Sequence, residues 1–367
     1  MLSMVIPTYN EVENIPLIIE RIFEVYKKND IVGEVIVVDD DSKDGTGKAA
    51  RKMAKKYDVK VIVRKKDRGL SSAVLRGFDE AKYDILGVID ADLSHPPEVI
   101  PKMLKPIQKG EMDFTLGSRY IKGGGMKDWP MKRKMISKGA TLMAAPLTGI
   151  KDPMSGYMMV RRDKLEGADL NPKGYKIALE ILVKCKIKKF KEVPIIFKDR
   201  ELGESKLNWK EQVNYLVHLN RLYKFKYRTL YQLMLFCIIG GLGTLVDLAV
   251  FSLYMYVFQF NDLDLGFIFK GYIFAQTVSF IVAVTHNFFW NKYLTFKDAG
   301  GNLGSQYVKF FIVAVIAFAL RTVLLYMIVD YGGLHEFISL VIVIFIVTVV
   351  NFVGSKLWAF GDKSKKK

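Results

Sequence analysis

Two carboxylates close an apolar run. In Val88-Ile89-Asp90-Ala91-Asp92-Leu93-Ser94-His95-Pro96-Pro97-Glu98, the stretch from Ile85 to Ile89 stops at Asp90 and Asp92, and a double proline then opens a helix. Residues two apart in a strand point to the same side. Asp90 and Asp92 are therefore expected to converge just past the strand, at the edge where open α/β sheets bind ligands. Two such carboxylates repel unless a cation lies between them, which implies a hard metal, Mg²⁺ or Mn²⁺. A metal held by only two carboxylates usually completes its shell with phosphate oxygens, so a phosphate-bearing substrate is expected. The competing reading is a solvated Asp-rich turn. His95 is either a further metal ligand or a helix-entry residue before Pro96-Pro97.

The elements that position these residues read as alternating strands and helices. Strands are expected at Leu2 to Ile6, Val35 to Val38, Val59 to Val63 and Ile85 to Ile89. Between them, Ile15, Ile18, Ile19, Ile22, Phe23 and Tyr26 recur at helical spacing, a second helix runs to about Tyr57, and Gly69 to Ala81 forms a third. This alternation predicts an α/β fold, a mostly parallel Rossmann-like sheet with helices on both faces and right-handed crossovers. Three of the strands end in acidic or turn-forming residues, all at one sheet edge.

The 367 residues carry a formal net charge of +17, which favours phosphates or anionic lipid surfaces as partners. Nucleic acid is not expected, because the Lys and Arg residues flank apolar segments instead of forming one polar face. Cys185 and Cys237 are the two cysteines, one in each half, so no disulfide framework is visible and a reducing compartment is expected. The N-terminus enters a strand pattern at once, without a signal peptide.

Gly45-Thr46-Gly47-Lys48-Ala49-Ala50 imitates nucleotide-binding glycine patterns. A P-loop fails because Ser42 stands where Gly is required and Ala49 where Ser or Thr would meet Mg²⁺. A dinucleotide turn fails because Asp39, Asp40, Asp41 and Asp44 crowd the place of a pyrophosphate. These glycines are read as helix-entry residues. Asp40 suits a hydrogen bond to a base or ribose, with a helix N-cap as the alternative.

Pro7-Thr8-Tyr9-Asn10-Glu11, Asp39-Asp40-Asp41-Ser42, and Asp90-Ala91-Asp92 followed by His95-Pro96-Pro97 resemble family 2 glycosyltransferases of the GT-A fold. Gly117-Ser118-Arg119-Tyr120 and Arg200-Glu201-Leu202-Gly203-Glu204-Ser205-Lys206-Leu207 narrow the resemblance to polyprenyl-phosphate sugar synthases of the dolichol-phosphate mannose synthase type. It covers roughly residues 1 to 210. It implies a nucleotide-sugar site drawn from Pro7, Tyr9, Glu11, Val38, Asp40, Asp90, Ala91, Asp92, Arg119, Arg200 and Lys206. The family usually carries Gln two residues after the second aspartate. Here that position is Ser94, which leaves the third protein ligand to the metal open.

Transfer from a nucleotide sugar builds negative charge on the departing diphosphate. A metal on Asp90 and Asp92 neutralises that charge, and Arg119 and Arg200 add fixed positive charge. A lipid phosphate acceptor is already an anion at neutral pH, so no general base is required, and none is evident among the four histidines. By resemblance, the acceptor attacks the anomeric carbon directly and inverts it. The expected catalytic set is Asp92, Arg119, Arg133 and Arg200. Glu180 resembles the acidic position where many relatives keep a base, and is read as a possible sugar contact.

Two basic amphipathic segments join the soluble part to lipid. Within residues 126–148, Met131, Met135, Leu142, Pro146 and Leu147 lie along one side, with Lys127, Lys132, Arg133, Lys134 and Lys138 opposite. From Leu207, Val213, Leu216, Val217, Asn220 and Tyr223 repeat the design beside Arg221, Lys224, Lys226 and Arg228. Such helices lie in a membrane interface or, alternatively, cover a sheet. Arg133 and Ser137 share a helical face and, with Arg119, are expected to bind the acceptor phosphate.

The remainder is apolar. Bilayer spans of about 20 residues are expected at Leu230–Phe258, Gly266–Phe289, Tyr307–Val329 and Phe337–Trp358. Lys292, Lys297 and the tail lysines place both termini and the catalytic part in the cytoplasm. Asn287-Phe288, Lys292 and Phe296 recur 64 positions later as Asn351-Phe352, Lys356 and Phe360. This gives two parallel helical hairpins that resemble the GtrA-like membrane domain. Asp247 and Arg321 fall opposite each other in the repeat, and an intramembrane ion pair is expected. The layout is a catalytic domain over 1–206, an interface helix over 207–228, a membrane domain over 229–360 and a basic tail over 361–367. The expected reaction moves mannose from GDP-mannose to dolichyl phosphate. The alternatives are a polyprenyl-phosphate glucose synthase using UDP-glucose, and a synthase fused to a lipid-linked sugar flippase.

Overall fold

The computed structural model describes residues 1–127, 129–171, 176–198, 209–259 and 270–361. The chain divides into two compact units, Met1–Lys226 and Tyr227–Lys367.

In the first unit, β1 (Leu2–Thr8), β2 (Gly33–Asp39), β3 (Val59–Val63) and β4 (Ile85–Val88) alternate with α1 (Asn14–Lys28), α2 (Thr46–Met53) and α3 (Leu70–Asp79). All four strands are parallel, as their hydrophobic runs predict. The sheet extends past α4 (Ile100–Gln108) through β5 (Phe114–Ser118), β7 (Met158–Arg161) and β8 (Phe190–Pro194), in the order β3-β2-β1-β4-β7-β5-β8, while β6 (Gly125–Met126) pairs outside it with β9 (Ile196–Phe197). β7 runs antiparallel to both its neighbours, while β5 and β8 pair in parallel. This one reversal delivers the loop that precedes β7 to the same edge as the C-terminal ends of β1, β2, β4 and β5.

Each face of the sheet is covered. Ile15, Ile18, Ile19 and Ile22 of α1 and Met103, Leu104 and Ile107 of α4 pack on Met4, Ile6, Val35 and Val37. Val74 and Phe78 of α3 with Ile177 and Ile181 of α6 (Ile177–Lys184) pack on Val5, Ile36 and Val38. Each fully buried aliphatic side chain contributes about 1.5–3 kcal/mol. Gly77 sets how closely α3 approaches, because a Cβ there would overlap Val5.

α5 (Met131–Thr148) and α7 (Trp209–Lys226) are tied together by three hydrogen bonds from α7 to carbonyls of α5: Tyr215 Oη to Ala140 O at 2.6 Å, Tyr223 Oη to Met143 O at 2.8 Å and Lys226 Nζ to Leu147 O at 2.6 Å. Met131, Met135 and Leu142 of α5 and Val213, Leu216 and Val217 of α7 are exposed. The structure thus leaves two apolar stripes outward instead of spending them on the sheet. Leu147 departs from the expected stripe: it is buried, on the inner side of α5 with Thr141 and Ala144.

In the second unit, α8 (Arg228–Ser252), α9 (Gly271–Trp290), α10 (Leu303–Tyr326) and α11 (Glu336–Gly354) each run on into a π-helical turn, at Leu253–Val257, Asn291–Thr295, Met327–Tyr331 and Ser355–Ala359. The four resulting segments, of 30, 25, 29 and 24 residues, are long and apolar enough to cross a bilayer. The repeated aromatics meet in one cluster, with Phe236, Phe288, Phe296, Phe310, Phe352 and Phe360 packed together and Phe296 stacked on Phe360 at 4.7 Å. The expected Asp247–Arg321 ion pair is not formed. Arg321 is exposed, while Asp247 keeps a buried Oδ1 with no hydrogen-bond partner among the described residues. Equal position in the repeat does not make the two charges partners.

Candidate active site

The acidic pair lies beyond the strand, not in it. β4 ends at Val88, and Asp90, Ala91 and Asp92 occupy the turn that follows. Leu93 adopts φ 60°, a left-handed conformation that a bulky residue rarely takes. That bend brings Ser94 N to 3.1 Å from Asp92 Oδ1, which also accepts from the Ser94 hydroxyl. The two carboxylates therefore leave a tight turn and not a strand. His95 is buried: its ring stacks on Tyr157 at 5.2 Å, meets Phe197 edge-on at 5.3 Å, and sets Nδ1 3.5 Å from Asp90 Oδ2. Nδ1 also accepts from the Asp90 backbone N–H at 3.4 Å, and His95 directly precedes Pro96, the N-cap of the short helix that follows. Gly156 faces the same carboxylate, where a Cβ would stand 3.6 Å from Asp90 Oδ1.

Arg119 follows β5 directly and is buried. Its Nε and Nη2 donate to Asp152 at 2.8 and 2.7 Å, and its backbone N–H donates to the same carboxylate at 2.9 Å. Asp152 was not among the residues expected from sequence. Its only local sign is an acidic residue shortly after Gly149, the left-handed C-cap of α5. Burial alone would depress the Arg119 guanidinium, but the Asp152 hydrogen bonds and charge, with help from Asp90, raise it further above its ordinary value. Arg119 is therefore a permanent cation with half of its donor fork already taken.

Trp129 holds two predicted residues together. The Arg119 guanidinium carbon lies 5.4 Å and that of Arg133 4.0 Å from its ring centroid. The indole also meets Phe197 edge-on at 5.4 Å, linking the arginines to His95 and Asp90 through adjoining rings. Ser137, one turn after Arg133 on α5, accepts from Tyr120 Oη at 2.9 Å. Arg119, Arg133 and Ser137 thus share one neighbourhood, organised by Trp129 and Tyr120, neither of which was singled out from sequence as a site residue.

At the other side of the edge, Pro7 and Val38 are buried in β1 and β2, and Tyr9 is exposed just beyond β1. Glu11 N donates to Thr46 Oγ1 at 2.8 Å and Val12 N to Asp44 Oδ2 at 3.1 Å, which ties this loop to the acidic one. Gly45 caps α2 at φ 97°, as a helix-entry glycine should. Burial pushes the Asp39 carboxyl up, helped by the charges of Asp44 and Asp40 and opposed by its hydrogen bonds from Ser42. Asp40 is engaged by the chain itself. Arg64 Nε donates to it at 2.9 Å, Arg64 Nη2 pairs with it, and Gly69 N donates at 2.7 Å. Both of its oxygens are occupied, and it caps no residue of α2; the expected base or ribose contact would share a carboxylate already bound to Arg64.

Glu180 is buried away from these groups in a structural network. It pairs with Lys184 at 2.6 Å, accepts from Asn171 N at 2.9 Å and lies 3.7 Å from His218 of α7. Those partners already engage the carboxylate that the sequence offers as a possible sugar contact. Arg200 and Lys206 lie outside the described residues. Among the described residues no group of three or more His, Cys, Asp or Glu side chains could hold a metal. The hard oxygens at the turn are the Asp90 and Asp92 carboxylates and the Ser94 hydroxyl, a donor set that suits Mg²⁺ or Mn²⁺ sharing phosphate ligands.

The description "Glycosyl transferase family 2" matches residues 3–167, and "GtrA/DPMS, transmembrane domain" matches residues 235–360. A dolichol-phosphate mannosyltransferase of Pyrococcus furiosus is 43% identical over 92% of this chain and 93% of its own length. One of Saccharomyces cerevisiae is 44% identical over 61% of this chain and 88% of its own. Among solved structures, mannosyl-3-phosphoglycerate synthase of Rubrobacter xylanophilus shares the fold, with a TM-score of 0.50 at 20% identity over 61% of this chain and 74% of that one. Matched along nearly its whole length, from the sheet edge to the last spanning helix, this chain belongs to the dolichol-phosphate mannosyltransferase family and is a membrane-integral glycosyltransferase.

Proposed function

We propose that the protein transfers mannose from GDP-mannose to dolichyl phosphate or another polyprenyl phosphate, with inversion at the anomeric carbon. The observation that carries this reading is the pairing of Arg119 and Arg133 across Trp129, beside the Asp90–Asp92 turn. One site then has to hold two anions, a sugar diphosphate and a lipid phosphate. The name borne by the 43%-identical relative supports the same donor sugar and acceptor class.

An acceptor phosphate oxygen attacks the anomeric carbon on the face opposite the diphosphate, forming the new C–O bond as the old one breaks and GDP departs with the electron pair. The nucleophile is already ionised, so no side chain takes a proton. Asp90, Asp92 and Ser94 are the residues to hold Mg²⁺ or Mn²⁺, which supplies positive charge at the diphosphate. Arg119 presents its remaining Nη1 edge at the charge that builds there, while Arg133 and Ser137 bind the acceptor phosphate. Arg200 and Lys206 join the donor site. The exposed stripes of α5 and α7 and their basic neighbours lie in the membrane interface. The spanning helices anchor the protein with both termini in the cytoplasm.

Purified protein in detergent, given Mn²⁺ and dolichyl phosphate, is expected to consume GDP-mannose at least about tenfold faster than UDP-glucose, the lower end of what pocket contacts discriminate. Preference for UDP-glucose would overturn the mannose assignment.

A further inference from the structure

Glu192 lies at the far end of the hydrogen-bond chain that holds Arg119, and nothing in the reaction calls for it directly. It sits on β8, opposite Leu116 of the parallel strand β5, two residues before β5 hands over to Arg119. Its carboxylate accepts two consecutive backbone N–H groups, Lys151 N at Oε2 (3.0 Å) and Asp152 N at Oε1 (3.1 Å). Lysines 102, 105, 109 and 191 line the neighbouring cleft, yet Glu192 forms no ion pair with them. The carboxylate is committed to the backbone. The segment it grips has just left α5 through Gly149 at φ 70° and runs as a turn until Tyr157 O accepts from Gly117 N of β5 at 2.8 Å. From that segment, Asp152 reaches Arg119 at three nitrogens.

We propose that Glu192 is a positioning residue for Arg119. It fixes the backbone of Lys151 and Asp152, and so fixes the direction in which the Arg119 fork presents its open Nη1 edge. This rests on the role given to Arg119 above. Two N–H donors need two acceptor oxygens, which a carboxylate supplies and an amide of the same shape does not. A glutamine would turn its NH₂ toward one of the donors and release it. The anionic form also makes these bonds stronger than neutral ones.

The test is a double-mutant cycle of turnover with GDP-mannose and dolichyl phosphate, using E192Q, R119A and the double variant, with thermal unfolding of each measured alongside. E192Q alone is expected to lower kcat about tenfold, on the scale of one lost charge-assisted hydrogen bond. In the R119A background, E192Q is expected to change kcat by less than about twofold, because coupled residues are non-additive. A full tenfold loss in both backgrounds would show that Glu192 acts through general stability and would overturn the relay. An R119A enzyme with undiminished turnover would instead remove Arg119 from the reaction, and the proposal with it, through the failure of the underlying reading. Should E192Q not accumulate as folded protein, E192D carries the same cycle, since it keeps the charge and shortens the reach.

Discussion

Asp152 holds Arg119 by main chain and side chain together: one carboxylate oxygen accepts from the backbone N–H at 2.9 Å and from Nε at 2.8 Å, and the other accepts from Nη2 at 2.7 Å. Both groups are buried. Breaking a buried ion pair by removing one partner leaves the other charge unpaired, at a cost of about 3–5 kcal/mol. Asp152→Ala is therefore expected to lower the unfolding midpoint of the catalytic unit by several degrees and to abolish turnover. Asp152→Asn, which keeps the shape and one acceptor oxygen, is expected to stay folded and lose at least about tenfold in kcat. Thermal unfolding beside steady-state kinetics separates the two effects, and an Asp152→Asn enzyme with normal kcat would detach the ion pair from catalysis.

Arg133 stacks on Trp129 from the first turn of α5, one turn from Ser137. If the acceptor phosphate binds there, Arg133→Ala removes a charge-assisted contact and is expected to raise the KM for dolichyl phosphate about tenfold. The KM for the nucleotide sugar should stay within about twofold, because the carboxylate turn is untouched. Initial rates with each substrate varied in turn make the measurement. Unchanged acceptor kinetics would remove Arg133 from the site.

These residues show what the sequence could and could not reveal. Arg133 and Ser137 were legible because helical periodicity is local, and i, i+4 neighbours share a face whatever the rest of the chain does. The first four parallel strands were legible for the same reason, as apolar runs bounded by turn residues. Asp152 was not, because it meets Arg119 only through the antiparallel insertion of β7 between β4 and β5, a long-range choice that no short window encodes. Trp129 and Tyr120 carry no sign in the sequence, because an aromatic near basic residues has no characteristic spacing. For Asp40 the place after a strand is visible in sequence, but the arginine 24 positions later that binds it is not. The repeated phenylalanines of the membrane unit were visible in the sequence, and the structure packs them into one cluster. The repeat misjudged Asp247 and Arg321, because equal register does not fix the direction in which a side chain leaves its helix.

Asp92 forms the tightest part of the acidic turn, folded back on Ser94 by the left-handed Leu93. Asp92→Ala is expected to reduce turnover by at least about a thousandfold, the scale of a lost electrostatic contribution to the transition state. The purified variant should keep the wild-type circular dichroism spectrum and remain in the membrane fraction. Retained turnover would sink the assignment of this turn as the diphosphate site. Ser94→Ala is the milder companion, expected to cost no more than about tenfold, because a hydroxyl contributes less than a carboxylate.

His218 on α7 faces Glu180 of α6 across 3.7 Å and is buried. Burial lowers its pKa from the ordinary 6.5; Glu180 acts in the opposite sense, and Lys184, Arg221 and Lys176 add to the lowering. Folded protein therefore binds this proton less readily than unfolded protein does. Below pH 6.5 the unfolded chain carries the proton while the folded chain resists it, so stability falls on acidification through that window and is recovered as pH rises to neutrality. The catalytic unit is expected to lose more unfolding midpoint between pH 7 and pH 5.5 than a His218→Gln variant does. Differential scanning calorimetry of both proteins across that range makes the comparison. Parallel curves would show that some other group sets the acid limit, and a wild type that gains stability on acidification would mean that Glu180 outweighs burial and the surrounding lysines.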